Sequence, residues 1–410
     1  MPEYDNSQRP CVAIMGIRGV PGAHGGFETF VSRLAPYLAS RGWLVRVYCQ
    51  EDDPLAGAAG PETVWSTSWQ GVDRLHIAVG PDTPGNSIRF DWQCVSHAIL
   101  HRPDAVLILG YNTAVFAARL RFAGIPTVIN MDGIEYSRAK WSLPEKAWLY
   151  FNERAGCLFA NHLIADHPQI EQHLRMRTKP RKITVIPYGS DLLEPPENTA
   201  QDRAVLTRHG IVSERYATLI ARPEPENSIL PMVRAYSAKP RGAVLLVLGN
   251  YYPKKVPYHA EVLAAAGTEV RFIGGVYDKG DVEALRRNSL FYMHGHQVGG
   301  CNPSLLEAMG AGNPVVAHDN RFNRWVVREG ALYFGDQAEC ERAIDEFFAD
   351  DEKRMHRGHM NRRRVRSVFN WSEILQSYQE LLSGVSAKST ARDASMSPQR
   401  AQWRLDADSL

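Results

Sequence analysis

One stretch of the sequence, GGCNPSLLEAMGAGNPVV at residues 299–316, has the residue types of an anion and sugar site. Asn302 and Pro303 are residue types that begin helices, so backbone amides and the positive end of the helix dipole would face a phosphate there. Glu307 would lie about one turn into that helix, where its carboxylate can accept hydrogen bonds from ribose hydroxyls. The sequence therefore predicts a nucleotide site formed by Gly299, Gly300, Asn302, Pro303, Ser304, Leu305 and Glu307.

Two further features in the same half of the chain could contribute to this site. Arg222 follows the apolar run YATLIA at 216–221, and a guanidinium at a strand end can bind a diphosphate through two parallel hydrogen bonds. The alternative for a lone arginine is an ordinary surface charge. His294 and His296 follow another apolar run, but no third metal ligand has a suitable spacing, which favours hydrogen-bonded polar loop histidines over a metal site.

The first half of the chain contains a glycine-rich loop, GIRGVPGAHGGFE at 16–28, after an apolar run. Gly25 and Gly26 would let the backbone approach a ligand closely, and Glu28 would lie in the first turn of the helix that follows. A turn required only by local geometry is the alternative. The dinucleotide fingerprint GxGxxG does not fit these spacings, which counts against an NAD-dependent oxidoreductase despite the acids Glu51 and Asp52 after the second strand.

Polar residues also follow the apolar run PTVIN at 126–130. Asp132 could take a proton from a sugar hydroxyl or support developing positive charge. Capping of the next helix is an equally compatible role for Asp132. We assign to the acceptor side of the site the polar residues of the first half, Glu28, Asp132, Glu135 and Lys140.

These loops follow short apolar runs that alternate with helical patterns, as in βαβ units with mainly parallel sheets. The alternation restarts after a polar segment, so we expect an α/β protein with two doubly wound, Rossmann-like domains facing across a cleft. Ligands of such sheets bind at the carboxyl ends of the strands. The expected limits are 1–190 for the first domain, 191–205 for a linker, 206–368 for the second domain, 369–384 for an amphipathic helix and 385–410 for a disordered tail.

The composition excludes several classes of partner. The chain has 410 residues, with 47 Lys and Arg scattered among 45 Asp and Glu, so we expect no nucleic-acid partner. Six widely spaced cysteines without metal-ligand spacing favour buried thiols in a reducing cytoplasm. The first ten residues are polar and no apolar run reaches the roughly 18 residues of a membrane span, so we expect no signal peptide and at most peripheral membrane contact.

In combination, these motifs resemble the retaining, nucleotide-sugar-dependent glycosyltransferases of the GT-B fold, family 4. GGCNPSLLEAMGAGNPVVA is similar to the donor-binding motif of that family, KITVIPYGSD to its interdomain segment, ATLIARPEPEN to its phosphate-binding segment, and GGFETFVSRLAPYLASRGWLVRVYC to its first-domain loop and helix. The helix that contains Trp371 is similar to the family's crossover helix onto the first domain. More narrowly, RGVPGAHGGFETF, NMDGIEYSRAKW and HGHQVGGCNPSLLEAM resemble bacterial rhamnosyltransferases of capsule, O-antigen and exopolysaccharide assembly.

The resemblance implies transfer of a sugar from a nucleoside diphosphate donor with retention of anomeric configuration and without an essential metal or other cofactor. It implies rhamnose from dTDP-rhamnose as the sugar, and a lipid-linked oligosaccharide at the cytoplasmic face of the membrane as the acceptor. A GT-B-like nucleotide-sugar epimerase and a non-enzymatic nucleotide-sugar sensor remain alternatives. Product analysis separates all three.

The resemblance also implies roles for individual residues. Glu307 matches the glutamate that holds the ribose, and Arg222 matches the basic residue on the donor phosphates. Gly25 and Gly26 match the first-domain loop near the diphosphate. With Asn227 and His294 added to the donor side, the catalytic candidates are Asp132, Arg222 and Glu307.

Three positions depart from the family pattern. The first of the family's two glutamates falls on Gly299, which suggests a donor with unusual hydroxyl placement, such as a 6-deoxy sugar. The lysine that usually follows the arginine falls near Glu226 and Asn227, so neutralisation of the phosphates should depend more on Arg222 and backbone amides. A histidine common in the family near Asp132 is also absent.

A cluster of basic residues in the first domain leads to a hypothesis of membrane association, with a solvated basic face as the alternative. Its members are Arg175, Arg177, Lys179, Arg181 and Lys182.

Overall fold

The computed structural model describes residues 9–22, 25–52, 64–81, 83–194, 200–211 and 215–386. The chain divides into a first unit, Met1–Pro187 with Ser372–Leu410, and a second unit, Tyr188–Trp371. Residues 188–190, which we placed at the end of the first domain, belong to the second unit, where the Ser190 amide donates to the Phe369 carbonyl at 2.8 Å. Residues 191–194, where we placed the start of a linker, also belong to the second unit, where the Leu193 amide donates to the Gly310 carbonyl at 3.1 Å. The predicted tail, 385–410, lies almost entirely outside the described residues.

The first unit is built on an eight-stranded sheet. The strands are β1 (Cys11–Met15), β2 (Leu44–Glu51), β3 (Val64–Trp69), β4 (Val72–Ala78), β5 (Ala105–Leu109), β6 (Thr127–Asn130), β7 (His162–Ala165) and β8 (Ile183–Val185). Their order is β3-β4-β2-β1-β5-β6-β7-β8, and all neighbours are parallel except the antiparallel pair β3–β4. β1 and β5 are buried along their whole length because both faces of a parallel sheet are covered, which is why they are apolar throughout.

Six helices belong mainly to this unit. They are α1 (Gly26–Ser40), α2 (Pro84–His101), α3 (Ala117–Phe122), α4 (Leu143–Phe159), α5 (Pro168–Arg175) and α14 (Trp371–Val385). From Ser372 onward, α14 lies in the first unit. Tyr378 of this helix is buried, its ring centroid lies 4.6 Å from that of Phe30, and its hydroxyl accepts a hydrogen bond from Asn130 Nδ2 at 2.8 Å. Helix α14 thus completes the core of the first unit.

The second unit is built on a six-stranded parallel sheet. Its strands are β9 (Tyr216–Ile220), β10 (Val244–Leu248), β11 (Val270–Gly274), β12 (Tyr292–His294), β13 (Val315–His318) and β14 (Ala331–Phe334). Its helices are α6 (Ala200–Arg208), α7 (Ile229–Ser237), α8 (Pro257–Ala264), α9 (Lys279–Arg287), α10 (Pro303–Gly310), α11 (Arg321–Val327), α12 (Gln337–Ala349) and α13 (Asp351–Val368). The strand order is β11-β10-β9-β12-β13-β14. The predicted pair of doubly wound α/β sheets is confirmed.

Candidate functional site

The strand order of the second unit reverses between β9 and β12, which lie side by side and parallel. The chain moves from β9 to β10 and β11 on one side of this point, and from β12 to β13 and β14 on the other. Loops that leave the carboxyl ends of strands at such a switch point diverge and open a crevice, where ligands of this architecture bind. Arg222 follows β9 and the segment GHQVGGC at 295–301 follows β12, so most of the predicted donor residues of the second unit come from these two loops and the start of α10.

The loop after β9 exposes Arg222. Among the residues that the structure describes, no carboxylate forms an ion pair with its guanidinium. The loop is held from within by Asn227, a buried residue whose Nδ2 donates to the Arg222 carbonyl at 2.8 Å. Asn227 therefore orders the loop through its side chain, and its predicted direct contact with the donor remains a prediction.

The loop after β12 is fastened to the loop after β9. The Gln297 amide donates to the Glu226 carbonyl at 3.0 Å, and Gln297 Nε2 donates to Ser228 Oγ at 2.9 Å. Gly295 lies so close to the Asn227 carbonyl that any Cβ at this position would collide with the oxygen. The two loops of the switch point therefore form one packed structure.

Helix α10 begins where the sequence predicted, with Asn302 as the cap and Pro303 as the first helical residue. We expected free amides at Asn302, Ser304 and Leu305, and this expectation is wrong for Ser304 and Leu305. Asn302 Oδ1 accepts the Ser304 amide at 3.0 Å, and the Asn302 carbonyl accepts the Leu305 amide at 3.1 Å. A capping asparagine satisfies the donors at a helix start, so a phosphate there would have to replace its side chain or bind through the helix dipole.

Glu307 is held by a residue that the sequence did not single out. Arg286, at the end of α9, places Nη1 2.6 Å from Glu307 Oε2 and donates through Nη2 to Ser304 Oγ at 2.9 Å. The Arg286 side chain is 6% exposed and that of Glu307 is 41% exposed. The pair therefore connects a buried cation to a carboxylate that solvent or a ligand can reach.

Tyr292 of β12 extends this contact to the end of β9. Its hydroxyl donates to the Ile220 carbonyl at 2.9 Å and lies 2.9 Å from Ser304 Oγ. Burial raises the pKa of Tyr292 to about 12, so its hydroxyl stays protonated. Nothing in the sequence indicated that Arg286 and Tyr292 belong to the site. Arg286 has the pattern of an ordinary charge at a helix end, and Tyr292 that of an aromatic core residue.

His294 is 1% exposed, and among the described residues neither of its ring nitrogens has a hydrogen-bond partner. Burial, with the nearby His296 and His318, holds its pKa well below the usual value, so the ring is neutral. The ring of His296 stacks on it with centroids 4.4 Å apart. The expectation of a hydrogen-bonded histidine is therefore wrong for His294, and its donor contact remains a prediction.

Gly299 has a left-handed backbone with φ 129°, which explains its residue type. A Cβ built on this glycine would meet no described atom within 4 Å. Gly299 falls where the family that the sequence resembles has a carboxylate. The backbone at this position disfavours any side chain, and the space beside it is open.

In the first unit, Gly25 caps α1 with φ 108°, and Gly26 is the first residue of that helix. The carboxylate of Glu28 turns back toward this loop and accepts the Arg18 amide at 3.2 Å. A Cβ on Gly25 would displace Glu28 Oε2, and the φ of 108° is a backbone conformation that favours glycine. The structure thus gives Glu28 a role in holding the loop; a role toward an acceptor remains a prediction.

Asp132 follows β6 with a left-handed φ of 49°, and its amide donates to Asn130 Oδ1 at 2.9 Å. The capping alternative is wrong, because the 3-10 helix Glu135–Ser137 that follows has Ile134 as its cap and α4 is capped by Ser142. The two other acceptor-side candidates already contact neighbours: Glu135 pairs with Arg138 at 2.8 Å, and Lys140 Nζ lies 4.4 Å from the ring centroid of Trp141.

The basic cluster is largely engaged within the first unit. Arg177 Nε contacts buried Glu153 at 2.5 Å and Arg175 pairs with Glu171 at 2.8 Å. Lys182 donates to the Cys157 carbonyl at 2.8 Å, at the end of α4. Of the five members, Lys179 and Arg181 are exposed and make no such contact with the described residues.

The described residues contain neither a membrane-spanning helix nor a metal centre. No helix among them has both the length and the hydrophobicity needed to cross a bilayer. No three His, Cys, Asp or Glu side chains of the described part of the chain converge as metal ligands. All six cysteines are buried thiols, as predicted.

Two family models match the chain, one in each half. Residues 213–364 match "Glycosyl transferases group 1", and residues 9–191 match "Domain of unknown function (DUF1972)". The second unit, with the switch-point site, therefore carries a glycosyltransferase group 1 domain. No curated protein sequence matches the chain.

Solved structures show the fold of the whole chain. Sucrose-phosphate synthase (tll1590) from Thermosynechococcus elongatus is 20% identical with a TM-score of 0.75, over 92% of this chain and 100% of that one. Anabaena Alr3699/HepE in complex with UDP and glucose is 16% identical with a TM-score of 0.69, over 92% and 100%. The catalytic domain of starch synthase IV from Arabidopsis thaliana bound to ADP and acarbose is 14% identical with a TM-score of 0.69, over 93% and 100%. The chain has the GT-B fold of these glycosyltransferases, as its sequence motifs predicted.

Proposed function

We propose that this protein transfers a sugar from a nucleoside diphosphate donor, with retention of anomeric configuration and without an essential metal. The sugar is rhamnose from dTDP-rhamnose, and the acceptor is a lipid-linked oligosaccharide at the cytoplasmic face of the membrane. The reaction belongs to the assembly of a bacterial cell-surface polysaccharide. The support comes from the switch-point site, the group 1 domain and the sequence resemblance.

The observation that carries the proposal is that the second unit contains two accessible charged side chains, Arg222 and Glu307, that suit two parts of a nucleotide. Arg222 is exposed and has no ion-pair partner in the described part of the chain, as a ligand for a diphosphate should be. Glu307 is fixed by Arg286 but still accessible, as a ligand for a ribose should be. Negative charge grows on the diphosphate as the glycosidic bond breaks, and a guanidinium directed at that position stabilises the transition state.

Donor binding is tested by thermal shift against UDP, ADP, dTDP and their sugar conjugates. A ligand that binds only the folded protein at 100 times its Kd stabilises it by about 2.7 kcal/mol. Arg222→Ala should remove the shift and lower transfer by roughly 10²- to 10³-fold, the usual cost of one oriented donor. Wild-type transfer by both Arg222→Ala and Glu307→Ala, in folded protein, would contradict the proposal.

The donor sugar is inferred from Gly299. A glycine in place of a carboxylate removes one hydrogen-bond acceptor for sugar hydroxyls, and the open space beside it accommodates a differently placed substituent. We therefore expect dTDP-rhamnose to be turned over in preference to UDP-glucose. Activity with UDP-glucose alone would remove the basis for a 6-deoxy sugar. A changed sugar without any acceptor would indicate an epimerase, and binding without turnover a sensor.

A further inference from the structure

Helix α4 turns an apolar side toward solvent. At helical spacing along this side lie four large apolar residues, with exposures of 82% for Leu143, 40% for Trp148, 53% for Phe151 and 70% for Leu158. The opposite side of the helix is buried against the first unit. An amphipathic helix normally directs its polar side outward, so this pattern is inverted.

The apolar surface continues onto the end of α3. Phe122 is 85% exposed, and its ring centroid lies 6.5 Å from that of Phe159 at the end of α4. We call this surface the α3–α4 face and define it by the apolar residues Phe122, Trp148, Phe151 and Leu158 and the arginines Arg121 and Arg154. Large contiguous apolar patches on soluble proteins mark contact surfaces.

The charges on the α3–α4 face have one sign. Arg121 and Arg154 are exposed, and Arg154 Nη2 donates to the Tyr150 hydroxyl at 2.7 Å. Lys182 lies nearby at the end of α4, where burial and the field of Arg121 lower its pKa. Within α3 and α4 the only exposed acid is Glu145, which accepts the Ser142 amide at 2.8 Å in the helix cap.

We propose that the α3–α4 face docks on a lipid bilayer with anionic headgroups. Aromatic and aliphatic side chains on one helix side can enter the headgroup boundary, while arginines around them reach the lipid phosphates. Each cation near an anionic surface strengthens binding. The positive charge of Arg121 and Arg154 on this face complements anionic lipid. The surface differs from the basic cluster at 175–182, of which Arg177 and Lys182 are bonded within the protein. Its lipid binding does not depend on which sugar donor is used.

The test is flotation of the full-length protein with vesicles of phosphatidylcholine alone or mixed with phosphatidylglycerol. We expect binding to the mixed vesicles and release as the salt concentration rises. Phe151→Ser with Leu158→Ser should abolish flotation. Arg121→Gln with Arg154→Gln should weaken the partition coefficient roughly fivefold for each arginine.

Matched controls lie in the second unit, where Met355 is 59% exposed and the side chain of Arg342 is 69% exposed. Met355→Ser and Arg342→Gln should float like the wild type, and all variants should keep the wild-type melting temperature because the changed side chains are exposed. Flotation of the Phe151/Leu158 double variant at the wild-type level would overturn the proposal. Failure of the wild-type protein to float with either vesicle type would also overturn it. If the wild type does not float but dimerises, and the Phe151/Leu158 double variant does not dimerise, the face would be a contact between two copies of the protein.

Discussion

Arg286 offers the sharpest test of the candidate site. It contacts both Glu307 and Ser304, and its replacement should change the stability of the protein and its affinity for the donor by different amounts. Arg286→Met keeps the length of a buried side chain and removes its charge. Loss of one partner of a buried ion pair usually costs about 3–5 kcal/mol, because the other charge stays buried. The Glu307 side chain is 41% exposed and can be hydrated, so we expect a smaller loss, about 1–2 kcal/mol.

Donor affinity should suffer more than stability. Arg286 fixes one carboxylate oxygen of Glu307 at 2.6 Å and also bonds to Ser304, the second residue of α10. Without it, Glu307 must be ordered by the ligand itself. A hydrogen bond to a charged group contributes about 1.5–3 kcal/mol, which corresponds to a loss of roughly 10- to 150-fold in affinity. Isothermal titration with UDP and dTDP measures this loss directly.

A double-mutant cycle with Glu307→Gln decides whether Arg286 acts through Glu307. If it does, the double variant should bind the nucleotide no more weakly than Glu307→Gln alone. Additive losses would mean that Arg286 has an independent role. Wild-type affinity in Arg286→Met would refute the reasoning altogether.

Three other substitutions test neighbouring features. Asp132→Asn should keep the left-handed backbone and the melting temperature but lower transfer by roughly 10²- to 10⁴-fold, measured by diphosphate release; unchanged turnover would exclude Asp132 from catalysis. Gly295→Ala should cost about 1–3 kcal/mol in urea unfolding because its Cβ overlaps the neighbouring loop, whereas Gly384→Ala, with no described atom within 4 Å, should cost nothing. Burial raises the pKa of Asp91 to about 6, so the stability that this carboxyl contributes in acid is lost as the pH rises from about 4 through 6. Asp91→Asn, which can still accept the bond from Thr113, should therefore raise the melting temperature near neutral pH and not at about pH 4; an equal effect at both would count against it.

The sheets were predictable because a strand covered on both faces must be apolar throughout. β6 and β9, which are almost fully buried, lie within the apolar runs at 126–130 and 216–221. β3 was missed because it pairs only with β4 at the edge of the sheet, and Ser66, Thr67 and Ser68 in its middle are exposed. An edge strand without a buried face carries no periodic signal.

The loops of the candidate site could be predicted from the sequence. The side chains that hold its residues in place could not. The start of α10 could be identified from Asn302 and Pro303, since capping depends on residue types next to each other in sequence. The contact of Arg286 with Glu307 joins residues 21 positions apart on two helices, and KGDVEALRR alone has the pattern of a solvated helix. Which amides remain free likewise depends on the side-chain conformation of Asn302.

Completion of the first unit by α14 has a consequence for synthesis on the ribosome. Translation delivers the eight strands of the first sheet early, yet the side chain that bonds to Asn130 and packs on Phe30 belongs to Tyr378. Domains commonly fold in the order in which they emerge. Here part of the apolar interior of the amino-terminal half stays uncovered until the whole second unit, which ends at Trp371, has left the exit tunnel.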